Sequence, residues 1–198
     1  MLDTHARRFV EPYINAFARA LHRLGATANA ITVAAMLIGV CAALCVAANW
    51  AWVAIALLWL SGLLDAVDGA LARMTHASPL GAILDITFDR IVEIAVIVAL
   101  AWGHPEARFT LVILAGMIAV AMSLFLSIGA ALRNQSVKSF HYAPGLGERT
   151  EAFICLSLMI AGANHLSAWT SLFIGVILYT MAQRLHHARL ALAAERDP

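Results

Sequence analysis

The sequence predicts an all-α membrane protein: six transmembrane helices preceded by an N-terminal amphipathic helix lying in the membrane interface. Three observations carry that reading. First, 62% of the 198 residues are hydrophobic and 13% are charged, with a mean hydropathy of +0.83. Soluble domains run at about 45–50% apolar and about 25% charged, and a chain of this length keeps too much surface wet to hide such a surplus in one core. Second, the apolar residues fall into runs near the roughly 20 residues needed to span a bilayer. Third, Lys and Arg are concentrated in alternate connections. The 13 basic and 12 acidic residues leave a net charge of +1. No basic run or basic-aromatic interleaving accompanies it, so no nucleic-acid partner is expected.

Taken in order, residues 1–26 form the amphipathic segment. Phe9, Val10, Tyr13, Ile14, Phe17, Leu21 and Leu24 recur at helical spacing, with Arg7, Arg8, Glu11, Asn15, Arg19 and Arg23 between them. Such a helix lies along a membrane surface or packs on its own protein. The first apolar run starts too late, and lacks the layout, for a cleavable signal peptide. Spans are expected at about 30–48, 51–68, 82–102, 109–132, 150–164 and 167–184. Together they form a six-helix core over 27–184 and leave a tail at 185–198, one domain over 1–198. Asn49-Trp50, Gly103-His104-Pro105-Glu106 and Asn164-His165 read as compact turns.

Arg7, Arg8, Arg19, Arg23, Arg73, Arg90, Arg133, Lys138, Arg149, Arg184, Arg189 and Arg196 all fall on one side of this topology, and only Arg108 on the other. The positive-inside rule therefore puts both termini and the basic connections in the cytoplasm, in a multi-pass protein of the cell's inner membrane. Trp50, Trp52, Trp102 and Trp169 fall at the opposite ends of the spans, where interfacial aromatics are expected. Cys41, Cys45 and Cys155 sit in apolar stretches without metal-ligand spacing and read as small core residues.

Four aspartates break the pattern. Asp65 and Asp68 stand i, i+3, and Asp85 and Asp89 stand i, i+4, so each pair shares a helix face near the cytoplasmic end of a span. Two antiparallel helices would present these four carboxylates to one another. Four anions in a poorly hydrated place require compensation, which Arg73 and Arg90 alone cannot supply. An all-oxygen donor set favours Mg²⁺, Mn²⁺ or Ca²⁺ over zinc. Gly69 and Gly81 let a ligand or backbone approach closely, and the rigid fork of Arg73 suits a phosphate. A small cation transporter would also explain the carboxylates, but not the glycines and Arg73 at their fixed offsets.

The run Asp65-x2-Asp68-Gly69-x2-Ala72-Arg73-x7-Gly81-x3-Asp85-x3-Asp89 resembles the signature of the CDP-alcohol phosphotransferase family (also called CDP-alcohol phosphatidyltransferases) without gap or substitution. Eight fixed residues at ordinary background frequencies occur by chance about once in 10⁹ positions. Thr27-Ala28-Asn29-Ala30-Ile31-Thr32 is similar to the family's T-P-N-x-[IV]-T start of the first span, with Ala28 in place of proline. Gly147-Glu148-Arg149-Thr150-Glu151 is similar to its basic-acidic start of the fifth.

The resemblance implies an integral membrane enzyme that transfers a substituted phosphate from a CDP-alcohol, usually CDP-diacylglycerol, to the hydroxyl of a second alcohol and releases CMP. It implies that Asp65, Asp68, Asp85 and Asp89 hold Mg²⁺ or Mn²⁺, as two ions, and that Asp89 also takes the acceptor proton. Gly69, Arg73 and Ser78 match positions that hold the cytidine diphosphate, and Asn29, Ala30, Ile31 and Thr32 match a further stretch of that site. The family is commonly homodimeric, so a homodimer is expected.

The acceptor is left open. Arg133, Lys138, Arg149 and Arg184 lie on the side where a phosphorylated alcohol would be met, and each also serves as a positive-inside residue. Ala152 stands where phosphatidylinositol-phosphate synthases often carry a second arginine. Inositol phosphate, glycerol 3-phosphate, serine, an amino alcohol or another polyol all fit. Glu93, one turn beyond Asp89, is expected to pair with an arginine, Arg149 or Arg184. His141 and Tyr142 are candidates for acceptor contact, and His186 and His187 carry no assigned role.

Overall fold

Residues 2–133 and 149–194 are described in the computed structural model, with side chains over 10–131 and 149–193. Every regular element among them is helical. Seven α-helices follow in order: α1 (Leu2–Arg23), α2 (Ala28–Ala47), α3 (Ala51–Met74), α4 (Pro79–Gly103), α5 (Arg108–Arg133), α6 (Arg149–Ala161) and α7 (Leu166–Ala194). Single 3₁₀ turns at Pro105–Ala107 and Ala163–His165 introduce α5 and α7.

Local chemistry sets the helix boundaries. Gly25, at φ 81°, takes the left-handed conformation that ends α1. Thr27 then caps α2, its hydroxyl oxygen accepting from the Ala30 N–H at 3.3 Å. Ser78 caps α4 in the same way, accepting from the Gly81 N–H at 2.9 Å, and Pro79 occupies the first helical turn, where no N–H partner is needed. Asn49, at φ 62°, makes the tight turn between α2 and α3.

Alternating directions bring the starts of α2, α4 and α6 and the ends of α3, α5 and α7 to one end of the bundle. α2 packs along both α3 and α4, and α5 along α7. Small residues permit the closest approaches. A Cβ on Gly39 would run into Val92, and one on Gly62 would lie 2.6 Å from the Phe153 ring. Polar groups also find partners between helices. The Ser61 hydroxyl donates to the Ala35 carbonyl at 2.8 Å, and the Trp59 indole donates to Ser157 Oγ at 3.0 Å. The central core runs through Leu58, Val96, Leu100, Leu111, Leu114, Leu156 and Met159.

Among the described residues, four segments are long and apolar enough to cross a membrane: Ala28–Ala47, Ala51–Met74, Pro105–Ala131 and Ala163–Ala193. These apolar helices make the chain a multi-pass membrane protein. The other two expected spans are helices of a different kind. α4 has 25 residues, about 37 Å of helix, but Asp85, Asp89, Arg90 and Glu93 interrupt it. α6 has 13 residues, or about 20 Å, against a hydrocarbon thickness of about 30 Å.

The amphipathic α1 presents two apolar faces. Ile14, Ala18 and Leu21 pack inward with Ile31, Val67, Ala70 and Leu71. Val10, Tyr13, Phe17 and Leu24 remain exposed, Tyr13 by 78% and Leu24 by 82%. Packing on the protein and an outward apolar stripe, posed as alternatives by the sequence, coexist. Trp50, Trp52 and Trp102 are exposed as expected of interfacial aromatics, whereas Trp169 turns inward onto Gly162.

Candidate active site

The acidic centre is built by the second half of α3 and the first half of α4. Asp65, Asp68 and Asp85 each offer a carboxylate oxygen, all within 4.8 Å of one another. Asp68 is the most enclosed of the three, with 5% of its surface exposed. The Thr32 side chain and the Gly69 backbone lie against its carboxylate. Asp68 Oδ2 is nevertheless buried with no hydrogen-bond partner among the described residues. An orphaned, buried carboxylate oxygen beside two further carboxylates fits a hard divalent cation, which prefers oxygen ligands and offsets their mutual repulsion.

Asp89 is held differently. Arg149, the first residue of α6, directs Nη1 to Asp65 Oδ2 and Nη2 to Asp89 Oδ1, the latter at 2.6 Å. One guanidinium therefore ties α6 to both α3 and α4. The Phe153 ring, 5.5 Å from the Arg149 carbon, backs it. Phe153 in turn rests on Gly62 and meets Trp59 edge-on at 6.1 Å. The sequence reading missed this support because Gly62, Trp59 and Phe153 carry no motif. Their relation is tertiary.

Beside the carboxylates, the starts of α2 and α4 meet. A Cβ on Gly81 would lie 3.1 Å from both Asn29 Oδ1 and Ser78 Oγ. The glycine thus keeps a narrow space between two polar side chains at two helix N-termini. Such termini present unpaired N–H groups and partial positive charge, an arrangement suited to phosphate oxygens. Arg73 is exposed, one turn after Gly69, and a Cβ on Gly69 would lie 3.4 Å from Arg73 Nη1.

Within the stretch Asn29 to Thr32 the four residues part company. Asn29 and Ala30 are accessible, while Ile31 and Thr32 are 6% and 5% exposed. Ile31 belongs to the core under α1, and the Thr32 hydroxyl donates to the Ala28 carbonyl at 3.0 Å. Helical periodicity explains the split, since consecutive residues point about 100° apart.

Glu93 is buried, and Arg90 lies 2.6 Å from it on the same helix. Its partner is thus the residue one turn earlier rather than Arg149 or Arg184, a pairing that i, i+3 spacing makes available. Arg184, on α7, lies over the Phe125 ring of α5 at 4.9 Å. Arg133 ends α5, with its side chain outside the described residues. Lys138, His141, Tyr142, Gly147 and Glu148 also lie outside them. Cys155 is buried, Cys45 partly so and Cys41 exposed, all as free thiols.

Comparison with known proteins gives the same reading. Residues 26–190 match the CDP-alcohol phosphatidyltransferase family. The chain is 30% identical to Inner membrane protein YnjF of Escherichia coli over 80% of its own length and 81% of that protein's. It is likewise 30% identical to the phosphatidylinositol phosphate synthase of Mycobacteroides abscessus, over 91% and 85% of the two chains. The fold resembles the crystal structure of the Mycobacterium tuberculosis phosphatidylinositol phosphate synthase with CDP-DAG bound. The TM-score is 0.69 at 26% identity, covering 88% of this chain and 92% of that one. A second structure of that enzyme, in complex with manganese and citrate, gives the same TM-score and identity over 88% of each chain. The chain belongs to the CDP-alcohol phosphatidyltransferase family.

Proposed function

We propose that the protein transfers a phosphatidyl group from CDP-diacylglycerol to the hydroxyl of a small alcohol, releasing CMP, at the acidic end of the bundle. Family membership sets aside the cation-transporter alternative. The observation that carries the site is the convergence of Asp65, Asp68 and Asp85 beside the paired starts of α2 and α4. Asp65, Asp68, Asp85 and Asp89 would hold Mg²⁺ or Mn²⁺, as two ions. A divalent cation bound there neutralises charge developing on the departing CMP.

The chain's own groups do the remaining work. Arg73, Ser78, Gly69 and the N-terminal N–H groups of α2 and α4 hold the cytidine diphosphate, with Asn29 and Ala30 lining its edge. Ile31 and Thr32 support that edge from beneath. Asp89 orients the acceptor hydroxyl and takes its proton as the oxygen attacks phosphorus. Because a carboxylate is a weak base, orientation is the larger part of that role.

Placing this end of the bundle at the cytoplasmic rim lets the acyl chains remain in the bilayer while CMP leaves into water. The positive-inside distribution supports that orientation, with both termini cytoplasmic. We read the chain as a single domain of six membrane-embedded helices, α4 and α6 among them, with α1 lying in the interface through Val10, Tyr13, Phe17 and Leu24. The working form is a homodimer.

For the acceptor, the relatives named phosphatidylinositol phosphate synthases favour a phosphorylated alcohol such as inositol phosphate. Glycerol 3-phosphate is the second reading, since Ala152 stands where a further arginine is often found. Arg149 and Arg184, with Arg133 and Lys138, would receive its phosphate. The test is purified protein with labelled CDP-diacylglycerol and a panel of alcohols. A labelled phospholipid phosphate formed with inositol phosphate or glycerol 3-phosphate supports the reading. Product formed only with unphosphorylated alcohols overturns the acceptor class and leaves these residues as topological determinants.

A further inference from the structure

The Arg149 fork does more than neutralise charge, because one of the carboxylates it engages is also a member of the carboxylate triad. Nη1 lies on Asp65 Oδ2, while Asp65, Asp68 and Asp85 offer the oxygens that cluster within 4.8 Å. Nη2 lies on Asp89. A carboxylate oxygen engaged by a guanidinium N–H has less electron density to give a metal, and two cations at one carboxylate repel each other. The guanidinium is also not a loose surface group: it is backed by Phe153 and fixed at the first turn of α6, with one quarter of its side chain exposed.

We propose that Arg149 is a built-in competitor for the divalent cation at Asp65. Its guanidinium holds α6 against α3 and α4 through Asp65 and Asp89, and metal entry requires Nη1 to leave Asp65. Arg149 is then a positioning residue that sets how tightly the metal binds and whether Asp89 is free for the acceptor. This rests on the divalent site proposed above.

The experiment reads metal affinity directly, by titrating purified protein in lipid nanodiscs with Mn²⁺ and following the free ion by electron paramagnetic resonance. A charge-assisted hydrogen bond contributes about 1.5–3 kcal/mol, so R149Q is expected to bind Mn²⁺ roughly tenfold to a hundredfold more tightly. R149K keeps the charge but cannot span both carboxylates with a fork. It is expected to shift affinity in the same direction by a smaller factor. D65N in the R149Q background should remove the gain, because the contested ligand is then gone. Thermal unfolding of each variant without metal checks that the bundle persists, and F153L provides a second route to loosening the guanidinium while leaving every charge in place.

Unchanged or weaker Mn²⁺ binding in R149Q, with F153L also without effect, overturns the competition. Equal affinity in R149K and wild type with a gain only in R149Q reduces the effect to through-space charge and overturns the contest for Asp65. Absence of Mn²⁺ binding in wild type and R149Q alike overturns the metal reading and this one with it.

Discussion

At one end of the bundle the chain turns three times with its backbone N–H groups satisfied close by in sequence. At the other, six helix termini gather, with charges whose partners lie on other helices. The Asn49 and Trp50 N–H groups donate to Val46 and Cys45 at 3.0 and 2.8 Å, His104 N–H to Leu100 at 3.0 Å, and His165 N–H to Gly162 at 2.9 Å. Arg108 donates to the Ala101 carbonyl at 2.9 Å, and His104 lies 3.1 Å from Glu106. At the acidic end, by contrast, Arg149 reaches Asp65 and Asp89 across two other helices, and Asp68 Oδ2 stays unpaired. The turn end closes its backbone locally. The acidic end leaves clustered carboxylates for a ligand, and that is where the proposed chemistry is placed.

The sharpest way to break this comparison is to remove the most enclosed aspartate of the clustered triad. Asp68→Asn keeps the shape of the side chain but removes its charge and one anionic oxygen. Turnover is expected to fall by at least about a hundredfold, with Mn²⁺ binding lost in parallel. Retained activity would make the acidic end as self-sufficient as the turn end. Asp89→Asn should separate the roles, keeping CDP-lipid binding while losing turnover. Equal loss of binding in both variants would make Asp89 chiefly a ligand.

A second, smaller effect is expected at the acceptor. Arg149→Ala should raise the KM for a phosphorylated acceptor by roughly ten- to a hundredfold, since a charge-assisted contact contributes about 1.5–3 kcal/mol, with CDP-lipid affinity little changed. An unaltered KM would remove Arg149 from the acceptor site.

Gly81 tests the meeting of α2 and α4. A Cβ there sits 3.1 Å from Asn29 Oδ1 and Ser78 Oγ, so Gly81→Val should narrow the space between them. CDP-diacylglycerol affinity is expected to drop by roughly tenfold, the effect of overpacking by about 1–3 kcal/mol. Gly62→Val, whose first added carbon meets Phe153, should lower the unfolding temperature by a comparable free energy and loosen Arg149.

At the turn end the same treatment should do little. Trp52→Ala and Phe109→Ala are expected to leave the CMP-release rate within about twofold, since exposed positions away from special features shift stability by about 0.5 kcal/mol or less. A large loss there would show that the two ends are coupled.

What the sequence made legible follows the same division. The turns at Asn49-Trp50, Gly103-His104-Pro105-Glu106 and Asn164-His165 rest on local signals, and their positions could be read from residue type. The aspartate spacing likewise placed Asp65, Asp68 and Asp85 on facing helix surfaces, because helical periodicity is a local rule. The membrane crossings were less legible. Hydrophobicity counted α4 and α6 as spans like the others, whereas α4 carries a chain of charges and α6 has 13 residues.

The least legible features depend on which helix lies beside which. No spacing rule announces that Arg149 would divide itself between Asp65 and Asp89, or that Phe153 would rest on Gly62. Glu93 was readable in principle, since Arg90 stands three residues before it on the same helix, but the expectation was for Arg149 or Arg184. The burial of Ile31 and Thr32 could also have been inferred, from the 100° step between consecutive helical residues.

The most direct test of the central claim measures CMP released from CDP-diacylglycerol by purified wild-type and D68N protein in nanodiscs. Each is assayed with its acceptor alcohol, first in chelator and then with Mg²⁺ or Mn²⁺ restored. The account predicts CMP release by wild type only when the divalent cation is present, and at least about a hundredfold less by D68N under the same conditions. Full CMP release in chelator, or equal rates in wild type and D68N, would contradict it.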